Sequence, residues 1–254
     1  MNYKKIVAGR SVLRKDETEV YMKTISFIGA YDKTDLLLYI AKIFTTMGKK
    51  VLIIDTTILQ KAKYIVPVIS PTKAYVTSFE DIDIAVGFYD YNSIKSYLGL
   101  PEHSTLTYDY IFIDVDSIEG MKDFNISETN KKYFVTGFDA YSLKKGLEIL
   151  DGIEETLELK KILFSKNISY KEEEYFNYLA LGAKVKWDDE TIYFPLEQGD
   201  QGVIIENQMV QRIKLKKMTE LYKDSLLYIA NELIEDKSDV MNLKRAFKQL
   251  EKGV

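Results

Sequence analysis

A lysine and a threonine, Lys33 and Thr34, stand at the start of an amphipathic segment, directly after the apolar run Ile25-Ser26-Phe27-Ile28 and the turn Gly29-Ala30-Tyr31-Asp32. Where a strand turns into a helix, these residue types can hold phosphate and Mg²⁺. The ammonium reaches the phosphates, the hydroxyl reaches the metal, and the helix start offers N–H groups and the positive end of its dipole. Such a loop also needs glycines, so that successive N–H groups can curl around the anion. Here Gly29 remains, but Ala30 and Asp32 stand where further glycines are needed, and Asp35 follows Thr34. A carboxylate in an anion hollow opposes phosphate by roughly 1 kcal/mol per contact in water and by several times that in a drier site. The charge logic predicts a nucleotide scaffold that does not bind ATP tightly. Two more carboxylates, Asp55 and Asp114, end apolar runs and could hold a Mg²⁺ indirectly, or could simply close buried strands.

The elements that must position these residues are legible as alternating patterns. Strands are expected at 21–28, 51–55, 110–114, 133–136 and 162–165, short runs rich in β-branched and aromatic residues, as in strands buried on both faces. A helix is expected at 33–47, where Leu36, Leu37, Ile40, Ala41, Phe44 and Met47 recur at helical spacing before Gly48. Further helical patterns span 141–157 and 212–235. Residues 14–19 read as an exposed turn. Strands alternating with helices predict an α/β fold: a doubly wound, mainly parallel sheet of about seven or eight strands with helices on both faces. No linker or internal repeat interrupts the pattern, so residues 1–237 read as one domain and 238–254 as a C-terminal amphipathic helix, with Ser238 able to cap it.

Composition narrows the chemistry. The chain has 254 residues, 46% hydrophobic and 29% charged, as in an ordinary globular protein. It has no cysteine, which excludes disulfides, thiolate metal sites and cysteine nucleophiles, and its single histidine, His103, sits in a polar turn. No metal site is expected. A net charge of −4 gives no general drive toward nucleic acid, so DNA is not an expected partner, and the small basic cluster Arg212, Lys214, Lys216, Lys217 reads as a solvated face. Trp187 reads as packing. Without a signal-peptide pattern at the N-terminus or an apolar run of membrane-spanning length, a cytoplasmic location is expected.

Taken in order, the pieces resemble the MinD/ParA family of deviant Walker-A ATPases, which includes the CpaE/TadZ-like proteins of pilus loci. The run Met47-Gly48-Lys49-Lys50-Val51-Leu52-Ile53-Ile54-Asp55 is similar to the family's "RGKKVLLID", and Tyr108-Asp109-Tyr110-Ile111-Phe112-Ile113-Asp114 to its Walker-B strand. Ile192-Tyr193-Phe194-Pro195-Leu196 resembles its strand ending in proline, and Leu227-Tyr228-Ile229-Ala230-Asn231-Glu232-Leu233 the end of its C-terminal helices. The similarity spans residues 20–235. Against the family pattern KGGxGK[ST][ST], Ile28 replaces the signature lysine that reaches the partner's nucleotide, Ala30 and Asp32 replace glycines, and Asp35 replaces the last hydroxyl. Asp55 is kept, but Thr57 replaces the second carboxylate, and Val115-Asp116-Ser117 replaces a threonine-proline turn. The resemblance implies nucleotide contacts at Gly29, Lys33, Thr34, Asp55 and Asp114 if ATP and Mg²⁺ still bind. The losses imply a pseudo-ATPase with no catalytic residue and no required cofactor.

On a helix over 240–252, Val240, Leu243, Phe247 and Leu250 fall on one face, with Lys244, Arg245, Lys248 and Lys252 around the other sides. That pattern suits docking at an anionic membrane surface or a partner protein through Leu243, Lys244, Arg245, Phe247, Lys248 and Leu250, and it resembles the C-terminal membrane-targeting helix of MinD. It equally suits a helix packed on its own domain. The combined expectation is a scaffold or localisation factor for a membrane-associated bacterial machine, such as a pilus, secretion or conjugation apparatus, peripheral at the inner face of the membrane. Its dimer, if formed, would be independent of nucleotide. The alternatives are an atypical but active ATPase of the same type and a DNA-binding partition protein.

Overall fold

The computed structural model describes residues 22–68, 73–165 and 170–253. The expected turn at 14–19, and Tyr21 at the expected start of the first strand, lie outside the described residues. Strand β1 (Lys23–Ile28) buries its last four residues and runs through residues 29–33 into helix α1 (Thr34–Thr46). The apolar spacing of α1 does what the sequence implies: Leu36, Leu37, Ile40, Ala41 and Phe44 are all buried. Gly48, at φ +82°, turns the chain back into β2 (Val51–Asp55), buried along its whole length. The same full burial holds for β5 (Tyr110–Val115), so the centre of the sheet is covered on both sides.

Among the described residues the sheet has eight strands. Hairpin β3 (Tyr75–Phe79) and β4 (Ile82–Val86), then β6 (Lys131–Gly137), β7 (Leu157–Ser165) and β8 (Val185–Pro195) complete it in the order β3-β4-β2-β5-β1-β6-β7-β8. Only the β3–β4 pairing is antiparallel among the described residues. On one face lie α1, α2 (Ala62–Ile65), α7 (Gln198–Val210), α8 (Glu220–Leu233) and α9 (Lys237–Lys252). On the other lie α3 (Tyr91–Tyr97), α4 (Ile118–Asp123), α5 (Ala140–Asp151) and α6 (Tyr170–Leu179). The expected doubly wound α/β fold is the observed one.

Several boundaries differ for physical reasons. The helix expected to reach Leu157 ends at Asp151, because Gly152 caps it, and Leu157 instead opens β7. The pattern expected to be helical from Arg212 begins one element later, where Thr219 accepts a hydrogen bond from Tyr222 N and starts α8. Asp236, not Ser238, is the N-cap of α9: its carboxylate accepts from Ser238 N at 2.8 Å.

Helix α9 corrects the docking expectation. Leu243, Phe247 and Leu250 are buried in the same cluster as α1 and α8, and Ala246 is buried too, so the apolar face is used by the domain itself. Two ion pairs hold the helix there, Lys49–Asp239 at 2.8 Å and Lys223–Glu251 at 3.1 Å. In this arrangement Leu243, Phe247 and Leu250 are not available to a membrane or partner, whereas Lys244, Arg245 and Lys248 point outward.

Candidate functional site

Parallel doubly wound sheets present their ligand sites at the carboxyl ends of the strands, where the chain leaves the sheet on opposite sides. Here β1, β2 and β5 are neighbours, and their register puts Asp55 opposite Asp114. The loop after β1 closes over them. The loop and Asp114 border a cleft of about 420 Å³, with Lys33, Thr57, Lys61, Asp116 and Tyr141 in its wall, while Asp55 lies outside that wall, in a small cavity shared with Thr34 and Asp114. The structure thus brings together Gly29, Lys33, Thr34, Asp55 and Asp114.

What the side chains do there is specific. Lys33 is 2% exposed, and its Nζ donates to Gly29 O at 2.6 Å and to Tyr31 O at 3.2 Å. The same Nζ forms an ion pair with Asp114 Oδ1 at 2.8 Å. Burial pushes the Asp114 carboxyl up to about 7, an effect that Lys33 opposes. Asp55 is also pushed up by burial, but its oxygens are engaged: Oδ1 accepts from Thr57 N and Thr57 Oγ1, and Oδ2 from Ala62 N. Asp116 accepts from Ile58 N at 2.9 Å and so fixes the turn that follows β2.

The loop itself is held by contacts that a phosphate cradle does not need. Gly29 has φ +138°, and a Cβ there would lie 2.2 Å from Val135 O, so glycine is required for close approach to β6. Its N–H donates to Val115 O. Tyr31 stacks on Phe164 with ring centroids 4.6 Å apart, and Phe164 stacks in turn on Phe194 at 5.0 Å. Burial raises the Tyr31 hydroxyl to about 12. Asp32 accepts from Thr34 N at 3.2 Å through Oδ1 and pairs with Lys61 at 2.7 Å through Oδ2. Asp35 accepts from Gln208 Nε2 at 2.8 Å, and burial with nearby Asp32 raises its carboxyl to about 7.

Sequence reasoning missed Lys61 and Tyr141. Lys61 is one lysine among many, and only the fold brings it to Asp32. Tyr31 lay in the quoted loop, but nothing in its neighbours signals a stacking partner 133 positions away. The remaining singled-out residues take ordinary places. His103 is exposed. Trp187 packs edge-on against Phe134 and Phe176. In the basic cluster, Arg212 pairs with Glu80 and Lys217 with Glu206. Among the described residues no group of acidic and histidine side chains could hold a metal, and no helix is long and apolar enough to cross a membrane.

Solved structures share this architecture. A chain of the MinC:MinD cell division protein complex of Aquifex aeolicus matches with a TM-score of 0.51 at 17% identity, over 85% of this chain and 98% of that one. The likeness is one of fold. A ParA family ATPase from Chlorobium tepidum TLS matches at TM-score 0.49 and 12% identity, over 89% of this chain and 98% of its own. A putative plasmid partition protein from Borrelia burgdorferi B31, bound to AMPPNP, matches at 0.48 and 12%, over 90% and 99%. No protein-family model matches the chain, and neither does any curated protein sequence.

Proposed function

We propose that this chain is a MinD/ParA-like pseudo-ATPase, a scaffold or localisation factor that works without nucleotide for a membrane-associated machine such as a pilus, secretion or conjugation apparatus. The observation that carries the reading is the state of Lys33: buried, hydrogen-bonded to two carbonyls of its own loop and ion-paired with Asp114. The residues present do not fit Mg²⁺–ATP. Asp32 places a carboxylate at the start of α1, where phosphate oxygens would need donors, and the carboxylate oxygens of Asp55 are committed to Thr57 and Ala62. Thr57 offers a hydroxyl where water activation calls for a carboxylate.

A protein partner is supported by exposed apolar residues at the cleft rim, Ile58 at 71%, Leu59 at 67% and Tyr141 at 69%, which are surplus to the core. The association of one fold neighbour with MinC is in keeping with that kind of role. Attachment to an anionic membrane face from the cytoplasmic side rests on Lys244, Arg245, Lys248 and Lys252 on the outer side of α9. The test is steady-state hydrolysis together with sedimentation. The reading expects no Mg²⁺-dependent turnover and the same sedimentation with and without ATP. Turnover that Lys33→Ala abolishes, or dimerisation that requires ATP, overturns it.

A further inference from the structure

Asp32 does more than oppose an incoming anion. It bonds in two directions, to Thr34 N at the start of α1 and to Lys61 Nζ on the segment that follows β2. Among the described residues the Lys61 ammonium makes no other hydrogen bond or ion pair, whereas Lys33 Nζ is committed to the buried Asp114 Oδ1 at 2.8 Å. The two lysines are therefore divided between two carboxylates, one deep and one at the cleft mouth. Residues 57–62 are otherwise anchored from below, by Asp55 to Thr57 and Ala62 and by Asp116 to Ile58. Among the described residues, Asp32–Lys61 is the side-chain ion pair that ties them sideways to the loop after β1.

The geometry points to Asp32 as a built-in anion: its carboxylate serves as an intramolecular ligand that joins the loop to residues 57–66 and holds the rim residues Ile58 and Leu59 in one arrangement without a bound phosphate. The inference rests on the nucleotide-independent reading above and specifies how the site is regulated, by an internal contact in place of an external ligand. The chemistry that could replace the carboxylate is an oxyanion with at least two acceptor oxygens, one for Thr34 N and one for Lys61.

The test is hydrogen exchange on the full chain, read at the amides of residues 57–66. In Asp32→Ala, exchange there should rise about three- to tenfold, the range for losing a half-exposed ion pair and one side-chain-to-backbone hydrogen bond. Millimolar inorganic phosphate or tripolyphosphate should restore protection in Asp32→Ala and fail to do so in Asp32→Ala/Lys61→Ala, while sodium chloride at equal ionic strength restores nothing. Asp32→Asn, which keeps an acceptor for Thr34 N, should lose the tie to Lys61 and show an intermediate rise. Unchanged exchange in Asp32→Ala, or a rise that no oxyanion reverses, overturns the proposal. ATP is tested beside tripolyphosphate and adenosine, so that a phosphate requirement is separated from base recognition. If the unsubstituted chain itself gains protection from ATP, the nucleotide-independent reading fails, which is a different outcome from failure of rescue in the variant.

Discussion

Replacing Phe247 with alanine tests whether α9 belongs to the core. The ring is 5% exposed and sits among residues of α1 and α8, with Leu243 at 1%, Ala246 at 3% and Leu250 at 6% beside it. Removing a buried phenylalanine costs the transfer free energy of the lost atoms plus that of the cavity left behind, about 3–5 kcal/mol. Against a typical total of about 5–15 kcal/mol, that is a large share of the stability. Urea unfolding followed by far-ultraviolet circular dichroism should show the midpoint falling with little change in slope. Phe247→Glu should be worse, because it also buries a carboxylate with no partner. A change under about 1 kcal/mol, together with loss of liposome binding, would refute the packing argument and return Phe247 to a docking surface.

Other outcomes follow from the cleft. Lys33→Met should destabilise increasingly as pH rises past 7, by up to about 3–5 kcal/mol, because Asp114 loses the cation that favours its ionised form and must either hold a proton or stand as an unpaired carboxylate, and by less near pH 5, where that group is protonated in both proteins; Lys33→Met/Asp114→Asn should recover part of the loss in a thermal melt. Gly29→Ala should cost about 2–4 kcal/mol in chemical denaturation, since its Cβ would meet Val135 O at a φ that alanine avoids. Asp35 is an acid whose folded pKa is raised to about 7, so the folded chain holds a proton that the unfolded chain has lost between roughly pH 4 and 7, and its ionisation weakens the fold as pH rises through that window. Asp35→Asn should therefore match the original chain near pH 4 and exceed it in melting temperature above pH 8, with Gln208 still able to donate to the amide oxygen.

Elements with one dominant signal were readable in advance. Strand β2 matches its expected limits because four β-rich apolar residues and Asp55 lie between two lysines and a threonine pair, and α1 matches within one residue at each end because its apolar spacing is uninterrupted. The β3–β4 hairpin was not legible: its turn uses Glu80 and Asp81 at positive φ, where a glycine or asparagine would have announced it. Helix α7 was hidden by Gly199 and Gly202, poor helix formers whose cost is met by packing elsewhere along the helix. At the site, the carboxyl-end positions of Asp55 and Asp114 follow from strand patterns. The pairings Lys33–Asp114 and Asp32–Lys61 span 81 and 29 residues, and only sheet order and register bring those partners together. The amphipathic pattern of α9 was correct as a pattern, but periodicity alone does not say whether an apolar face meets a bilayer or the protein's own core.

The most direct test of the central claim is calorimetric titration of the full chain with Mg²⁺–ATP at low salt, in parallel with Lys33→Ala. An internally satisfied loop predicts no binding heat in the micromolar range for either protein. A saturable heat in the original chain that disappears in Lys33→Ala would show that Lys33 leaves Asp114 to hold phosphate, and would contradict the account.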